Sequence, residues 1–199
     1  MFIFGVIFAL VAGILFGLIG PTTKIAYNAG APVALVIFLR YAIASIIILP
    51  FIPSQNNLLD EFRKNLKFFV AISTGSIFLT LGLLTSVIFI EVSLTILIFC
   101  LYPIYVLIYS IVIDKEKILS SVKILFLITF IGIILVVGPS FKVINLLGIA
   151  LAVVASLGAT SMIVINQKMS FKKISPIPIN IFINIFNTFF FFIILKIFF

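Results

Sequence analysis

Residues 32–50 read PVALVIFLRYAIASIIILP, an apolar run between two prolines with a single charge, Arg40, near its middle. A charged side chain at the centre of a bilayer costs at least about 2.5 to 3.5 kcal/mol on insertion scales, so such residues usually face a partner, an aqueous cavity or a solute. The planar guanidinium group suits a carboxylate, a phosphate or the carbonyls of a broken helix. We therefore take Arg40 as a candidate functional residue, with a buried structural pair as the alternative.

The composition of the whole chain explains why this run is interpreted as a membrane segment. Hydrophobic residues make up 64% of the 199 residues and charged residues 9%, with a mean hydropathy of +1.49. A soluble domain is closer to half apolar and a quarter charged. The composition therefore predicts an integral membrane protein that lies in a lipid bilayer.

Cysteine, histidine and charge usage narrow the classes of function. One Cys and no His exclude an internal disulfide framework and argue against a zinc site, so no metal or other cofactor is expected. Cys100 lies in an apolar run and is predicted to pack. The net charge of +8 comes from Lys and Arg in short loops between apolar runs. That pattern predicts membrane topology and not nucleic-acid binding.

Seven stretches match the length of about 20 apolar residues that a helix needs to cross the hydrocarbon core. Helix-breaking residues separate them at 28–32, 50–57, 138–139 and 175–178. We predict an all-α, polytopic bundle of transmembrane helices. The spans are near residues 2–22, 32–52, 67–87, 91–113, 119–138, 145–166 and 177–198.

The basic residues predict the direction of the spans. With the N-terminus inside, nine Lys and Arg residues lie at the cytoplasmic loops and three on the other side, as the positive-inside rule requires. This predicts a multi-pass protein of the inner (cell) membrane with a cytoplasmic N-terminus. The nine are Arg63, Lys64, Lys67, Lys115, Lys117, Lys123, Lys168, Lys172 and Lys173, and the three are Lys24, Lys142 and Lys196.

An internal repeat relates the first two spans to the last two. A shift of 143 residues lays the first span on the sixth, and a shift of 144 lays the second on the seventh. The paired residues include Gly5 with Gly148, Ala9 with Ala152, Ala12 with Ala155, Pro32 with Pro176, Phe38 with Phe182 and Arg40 with Asn184. Chance matching between apolar helices is the alternative.

The repeat unit contains five helices, residues 1–143, and residues 144–199 supply the first two helices of a second unit. An odd number of spans per unit inverts the second copy, which is the architecture that many transporters use for alternating access. The second repeat is incomplete. We therefore expect either a fragment whose C-terminal helices are missing, or a complete chain that pairs with another subunit, for example as a homodimer.

The first and fourth spans carry further candidate residues for a cavity. Lys24 can extend to the headgroups or contact a solute or gate. Tyr102, Tyr105 and Tyr109 share one helix face, which predicts a solute path or aromatic packing. Pro103 within this stripe frees a carbonyl and permits a kink beside a cavity.

Polar and small residues mark three more faces. Asn180, Asn184 and Asn187 lie on one side of the seventh span, where interhelical hydrogen bonding and solute binding are equally plausible. Ser73, Ser76 and Thr80 form a weaker stripe on the third span. Gly13 and Gly17 form a G-x-x-x-G pattern that predicts close helix packing. Glu91 is predicted as a solvated carboxylate at a helix start, with proton coupling as the alternative.

Several segments resemble the EamA-type drug/metabolite transporter superfamily. They are residues 17–24, Ala31-Pro32 followed by Arg40, residues 85–103, and residues 114–116 leading to 132–136. The resemblance implies ten helices in two inverted repeats, cytoplasmic termini and a central cavity for small metabolites. The family often has tryptophan in its first helix. This chain has none, so Phe16 or Tyr27 would supply aromatic contacts there.

These observations predict transport of a small polar or amphipathic metabolite by alternating access, with Arg40, Tyr102 and Asn184 lining the cavity. A non-transporting assembly or binding subunit of the membrane is the alternative. An enzyme is not expected, because the sequence contains no nucleophile–base pair, metalloprotease motif, P-loop or dinucleotide turn.

Overall fold

The computed structural model describes residues 2–51, 58–115, 120–137, 145–171 and 174–198. Within these ranges the chain is helical and contains no strand. The helices are α1 (Phe2–Gly17), α2 (Ile19–Asn28), α3 (Val33–Ile48), α4 (Leu58–Phe89), α5 (Val92–Phe99), α6 (Tyr102–Val112), α7 (Ser120–Val137), α8 (Leu146–Phe171) and α9 (Pro176–Phe198), with a short 3₁₀ turn at Leu49–Phe51.

The predicted all-α membrane bundle is confirmed. Among the described residues, five helical stretches are long and apolar enough to cross a bilayer: Phe4–Asn28, Asp60–Phe89, Val92–Val112, Leu146–Phe171 and Pro176–Ile197. Val33–Ile48 and Ile124–Leu135 are apolar helices of shorter length. The sequence therefore indicates seven apolar segments correctly, but only five reach the spanning length in the part of the chain that is described.

Four of the predicted boundaries differ from the structure by several residues. The first span continues to Asn28 and not 22, and the sixth ends at Phe171 and not 166. The α4 helix begins at Leu58 and not near residue 67, because the amphipathic stretch before the apolar run is also helical, with a kink at Asn65 (φ −119, ψ 20). The α3 helix ends at Ile48, and Pro50 lies in the following 3₁₀ turn. The predicted breaker at 138–139 and the basic residues Lys117, Lys142, Lys172 and Lys173 lie outside the described residues.

Two spanning stretches are interrupted four residues before a proline. The α1 helix ends at Gly17, four residues before Pro21, and α5 ends at Phe99, four residues before Pro103. A proline has no N–H for the carbonyl four residues earlier, and its ring crowds that carbonyl. Helical hydrogen bonding resumes at once, for example from Thr22 N–H to the Leu18 carbonyl (3.1 Å). Each stretch is thus two consecutive helices separated by a local break in the hydrogen bonding.

The most extensive helix contact joins α4 and α8 in antiparallel orientation. It depends on glycines: an added Cβ at Gly158 would lie 2.5 Å from the Leu79 backbone nitrogen, and one at Gly82 would lie 2.5 Å from the Leu151 carbonyl oxygen. Without a hydrophobic driving force between helices in lipid, such close backbone approach supplies the packing energy. These two helices form the centre of the bundle.

Close packing is not found at the two glycines where the sequence predicts it. An added Cβ at Gly13 or Gly17 would meet no atom of the described residues within 4 Å, and α1 is exposed along most of its length. The reason is that no described helix covers this face of α1. The paired small residues of the sixth span, such as Ala152 and Ala155, are instead fully buried against α4.

Candidate functional site: a cavity beside two interrupted helices

A cavity of about 430 Å³ lies among α1, α2, α4, α5, α6 and α8. Neither α3 nor α9 contributes to its wall. Both interrupted stretches border it, because Gly17 and Phe99 line the cavity and the Phe16 and Phe99 rings lie 6.3 Å apart. The remaining lining residues are Ile19, Gly20, Leu79, Leu83, Leu84, Val87, Val92, Thr95, Ile96, Cys100, Tyr102, Ala159, Met162 and Ile163. We call this the apolar cavity.

The apolar cavity offers few polar groups. The Thr95 hydroxyl is already engaged with Ser86 Oγ (3.2 Å), and the Tyr102 carbonyl accepts a hydrogen bond from Thr160 (3.3 Å). The Tyr102 hydroxyl has no partner within the described residues. Sites for small molecules are typically apolar clefts of this size with a few oriented polar groups. The cavity therefore suits an apolar body that carries a small number of polar atoms.

A second cavity of about 440 Å³, here called the charged cavity, adjoins the first and shares Val92 with it. Lys24 and Glu91 both line it. Lys24 Nζ donates to the carbonyl oxygen of Val87 (3.0 Å), which belongs to the last turn of α4. Carbonyls in the last turn of a helix have no partner within the helix, so the ammonium group satisfies one of them. Glu91 precedes α5 but its side chain makes no capping hydrogen bond.

A buried hydrogen-bond network ties α3, α4 and α9 together away from these cavities. The Tyr41 hydroxyl shares hydrogen bonds with Ser76 Oγ (2.7 Å) and Thr80 Oγ1 (2.6 Å), and Asn187 Nδ2 donates to Ser76 Oγ (3.0 Å). The Tyr41 ring also stacks on Phe191, with centroids 5.9 Å apart. Polar groups buried in a bundle within lipid need such partners. This network fixes the position of α9 against α3 and α4.

The structure separates the three residues predicted to line one cavity. Tyr102 borders the apolar cavity, but Arg40 and Asn184 lie on α3 and α9 and border neither cavity. Arg40 is half-buried, and its Nη1 atom is buried with no partner among the described residues. Asn184 Nδ2 donates to the Asn180 carbonyl of its own helix (2.8 Å).

The other candidate residues lie at three places. Lys24 is in the charged cavity, and Tyr105 is half-buried on α6 without lining either cavity. Pro103 follows the break between α5 and α6. Tyr109 lies at the far end of α6, where its hydroxyl accepts a hydrogen bond from Lys168 Nζ (2.6 Å). The bundle therefore has a lysine contact at each end.

Tyr41 was not predicted to connect helices. Its phenol in an apolar helix indicates such a contact, because a buried tyrosine hydroxyl usually has a hydrogen-bond partner. Thr95 and Phe99 were also not predicted as cavity lining, whereas Phe16, which was expected to supply aromatic contacts, lies in the cavity wall beside Phe99. Nothing in the spacing of Thr95 and Phe99 distinguishes them from ordinary apolar helix residues.

In the described part of the chain, no cluster of three acidic, histidine or cysteine side chains could hold a metal ion.

Comparison with known proteins agrees with this architecture. A profile of the EamA-like transporter family matches residues 3–138, which is more than half of the chain and includes every helix of the apolar cavity except α8. No curated protein and no solved structure shows significant similarity to the chain. Transporters of small molecules, not enzymes, make up this family. The chain is a multi-pass membrane protein of the EamA-like transporter family.

Proposed function

We propose that the chain moves a small polar or amphipathic metabolite across the membrane by alternating access, with the apolar cavity as the solute path. The observation that carries this proposal is the cavity itself, about 430 Å³ in volume and bordered by two interrupted helices. Discontinuous helices near the bilayer midplane are the usual binding elements of transporters, because their freed backbone groups contact the solute. Here Pro21 and Pro103 remove the amide partners of the Gly17 and Phe99 carbonyls.

The inverted repeat predicted from the sequence, residues 1–143 followed by 144–199, supports the alternating-access part of the proposal. The α3 and α9 helices, which the repeat relates, pack antiparallel, and Ser45 Oγ lies 3.1 Å from Thr188 Oγ1. These two residues are 143 positions apart, within one residue of the offset that aligns the two helices. Equivalent residues of a two-fold repeat meet only near its axis. A two-fold axis at this contact would relate the two repeats. The two conformations of the transporter would then differ in which repeat adopts which arrangement.

The proposed setting is the inner (cell) membrane with a cytoplasmic N-terminus. Nine basic residues against three support this orientation, which puts the charged cavity at the outer face and the Tyr109–Lys168 contact at the inner face. Arg40 and Asn184 lie on the paired helices α3 and α9. In this proposal they affect the relative movement of the two repeats and do not contact the solute.

A second candidate function, a membrane-embedded assembly subunit that transports nothing, is favoured by one observation. The small-residue face of α1 is open to the rest of the described chain, since an added Cβ at Gly5 or Gly13 meets none of its atoms within 4 Å. A helix from a second copy of the chain, or a further helix of the same protein, could pack closely there. Copurification of a stoichiometric membrane partner, together with no solute flux, would favour this function.

The flux of radiolabelled small amphipathic solutes into proteoliposomes tests the transport proposal. Gly17→Phe places a ring at the wall of the apolar cavity, where the added Cβ itself meets nothing. We expect this variant to lose most of the flux. Gly13→Phe, one turn earlier on α1 and outside the cavity, is the matched control and should keep it. Equal flux in the two variants, or no flux above protein-free liposomes in the unaltered protein, would contradict the proposal.

A further inference from the structure

A lysine contact joins α6 and α8 near one face of the membrane. Lys168 Nζ donates to the Tyr109 hydroxyl (2.6 Å), and the Asp114 carboxylate, just beyond the end of α6, adds a coulombic attraction to the same ammonium group. Lys168 is exposed in the last turn of α8, where its long side chain could reach water without any partner. The contact with Tyr109 is therefore not needed to solvate the charge.

This contact lies between the apolar cavity and the inner face. At the level of the cavity, the Thr160 hydroxyl donates to the carbonyl oxygen of Tyr102, which lines the cavity. Tyr109 follows Tyr102 by seven residues, and Lys168 follows Thr160 by eight, so the two helices run parallel. At 1.5 Å per residue the second contact is about 10 Å further toward the inner face. It holds α6 and α8 together on the inner side of the cavity.

Lys24 and Lys168 are equivalent residues of the inverted repeat that the sequence predicts. They are 144 positions apart, the offset that also aligns the second span with the seventh. Lys24 donates to the Val87 carbonyl of α4, so its contact stays within the first repeat. Lys168 belongs to the second repeat and binds α6 of the first. Movement of one repeat against the other breaks the Tyr109–Lys168 contact and leaves the Lys24 contact intact.

We propose that the hydrogen bond between Tyr109 and Lys168 is the inner gate of the apolar cavity, which must break before the cavity can open to the inner face. This inference rests on the proposed transport function and assigns two residues to one of its steps. Both are positioning residues, since they set the distance between α6 and α8 and lie outside the cavity wall. An exposed hydrogen bond shifts a conformational equilibrium only about two- to tenfold, which suits a contact that breaks in every transport cycle.

The reaction of Cys100 with a membrane-impermeant methanethiosulfonate reagent tests the inner gate, because Cys100 lines the apolar cavity. The rate is measured in oriented proteoliposomes, from the inner and the outer side separately. Tyr109→Phe removes only the hydroxyl and should raise the inner-side rate about two- to tenfold without raising the outer-side rate. A purely structural role would raise both rates, because a loosened bundle exposes the cavity in both directions. Such a parallel increase, or an unchanged inner-side rate, would overturn the inference.

Further variants show whether the two side chains act through one contact. Lys168→Met should have the same effect as Tyr109→Phe, and the double variant should show no larger effect than either alone. Lys168→Arg keeps a charged donor and should restore the original rates. Tyr105→Phe, one turn earlier on α6, and Lys196→Met, exposed on α9, are the matched controls and should leave both rates unchanged. Additive effects in the double variant, or the same increase in the controls, would contradict a gate formed by this pair.

The two-sided rates distinguish this inference from the proposed function. Reaction of the unaltered protein from both sides, with an unchanged inner-side rate in Tyr109→Phe, would leave alternating access standing and overturn the inner gate. Reaction of the unaltered protein from the outer side alone, with inner-side reaction appearing in Tyr109→Phe and Lys168→Met, would support the gate and contradict spontaneous alternating access. Absence of inner-side reaction in every variant would overturn both.

Discussion

The glycine at position 158 offers a quantitative test of the α4–α8 contact. In Gly158→Ala the new Cβ would lie 2.5 Å from the Leu79 backbone nitrogen and 2.8 Å from the Gly75 carbonyl oxygen. Ordinary contacts of a Cβ atom begin at 3.4 Å, so the methyl group is about 0.9 Å too close. Both neighbouring atoms belong to the backbone and cannot rotate away. The two helices must therefore separate along their contact.

Overpacking of this kind costs about 1 to 3 kcal/mol in a well-packed core. A gap of 0.5 to 1 Å already removes roughly a quarter to a half of the dispersion energy of each separated atom pair. Alanine also gains about 1 kcal/mol in helix propensity over glycine, which partly hides the packing cost. A second Gly→Ala variant at an open site removes this complication, because the propensity gain is common to both.

Gly13→Ala is that second variant, since its added Cβ meets nothing within 4 Å. We predict that Gly158→Ala is less stable than Gly13→Ala by about 1 to 3 kcal/mol in the free energy of unfolding. The measurement is a denaturant titration of the purified protein in mixed micelles, followed by circular dichroism. Equal stability of the two variants would refute the close approach of α4 and α8, and so would a more stable Gly158→Ala.

Three further pairs of substitutions test other contacts with the same titration. Tyr41→Phe removes hydrogen bonds to Ser76 and Thr80 and should cost about 1 to 2 kcal/mol. Tyr102→Phe, whose hydroxyl has no partner among the described residues, should cost little; similar losses in the two variants would contradict the buried network. Asn187→Leu loses the Nδ2 hydrogen bond to Ser76 but also removes the buried Oδ1 atom, which has no partner in the described part of the chain, so it should change stability by less than about 1 kcal/mol. Asn187→Asp introduces a buried charge and should be strongly destabilising; the reverse order would contradict this prediction. Gly20→Ala should destabilise the protein, because its Cβ would lie 2.6 Å from Val92 Cγ1. Since that clash is with a side chain, adding Val92→Ala should restore the stability of Gly20→Ala. Absence of this rescue would contradict the close contact between α2 and α5.

The helices could be predicted from the sequence because hydropathy and length act locally. Apolar runs identify the spans, and Pro103 predicts the kink at the end of α5. The break at the end of α1 was not predicted, although Pro21, four residues later, explains it in the same way. The extra turns of α4 before residue 67 were not predicted, because that stretch is amphipathic and hydropathy alone does not distinguish it from a loop.

The site could be predicted only in part, because it depends on contacts between distant helices. Helix spacing groups Asn184 with Asn187, but only the packing of α9 on α3 and α4 decides that Asn187 bonds to Ser76 while Asn184 bonds to its own helix. The cost of a charge in lipid identifies Arg40 as unusual without saying what it faces. The Lys24 contact with Val87 joins residues 63 positions apart, and no local pattern predicts it.

The most direct test of alternating access uses the single cysteine of the chain. Cys100 lines the apolar cavity between the two interrupted stretches. A membrane-impermeant methanethiosulfonate reagent is applied to oriented proteoliposomes from one side and, in a separate experiment, from the other, with unfolded protein as the reference for full reaction. We predict that Cys100 reacts from both sides of the membrane. Reaction from one side only, or from neither side of the folded protein, would contradict it.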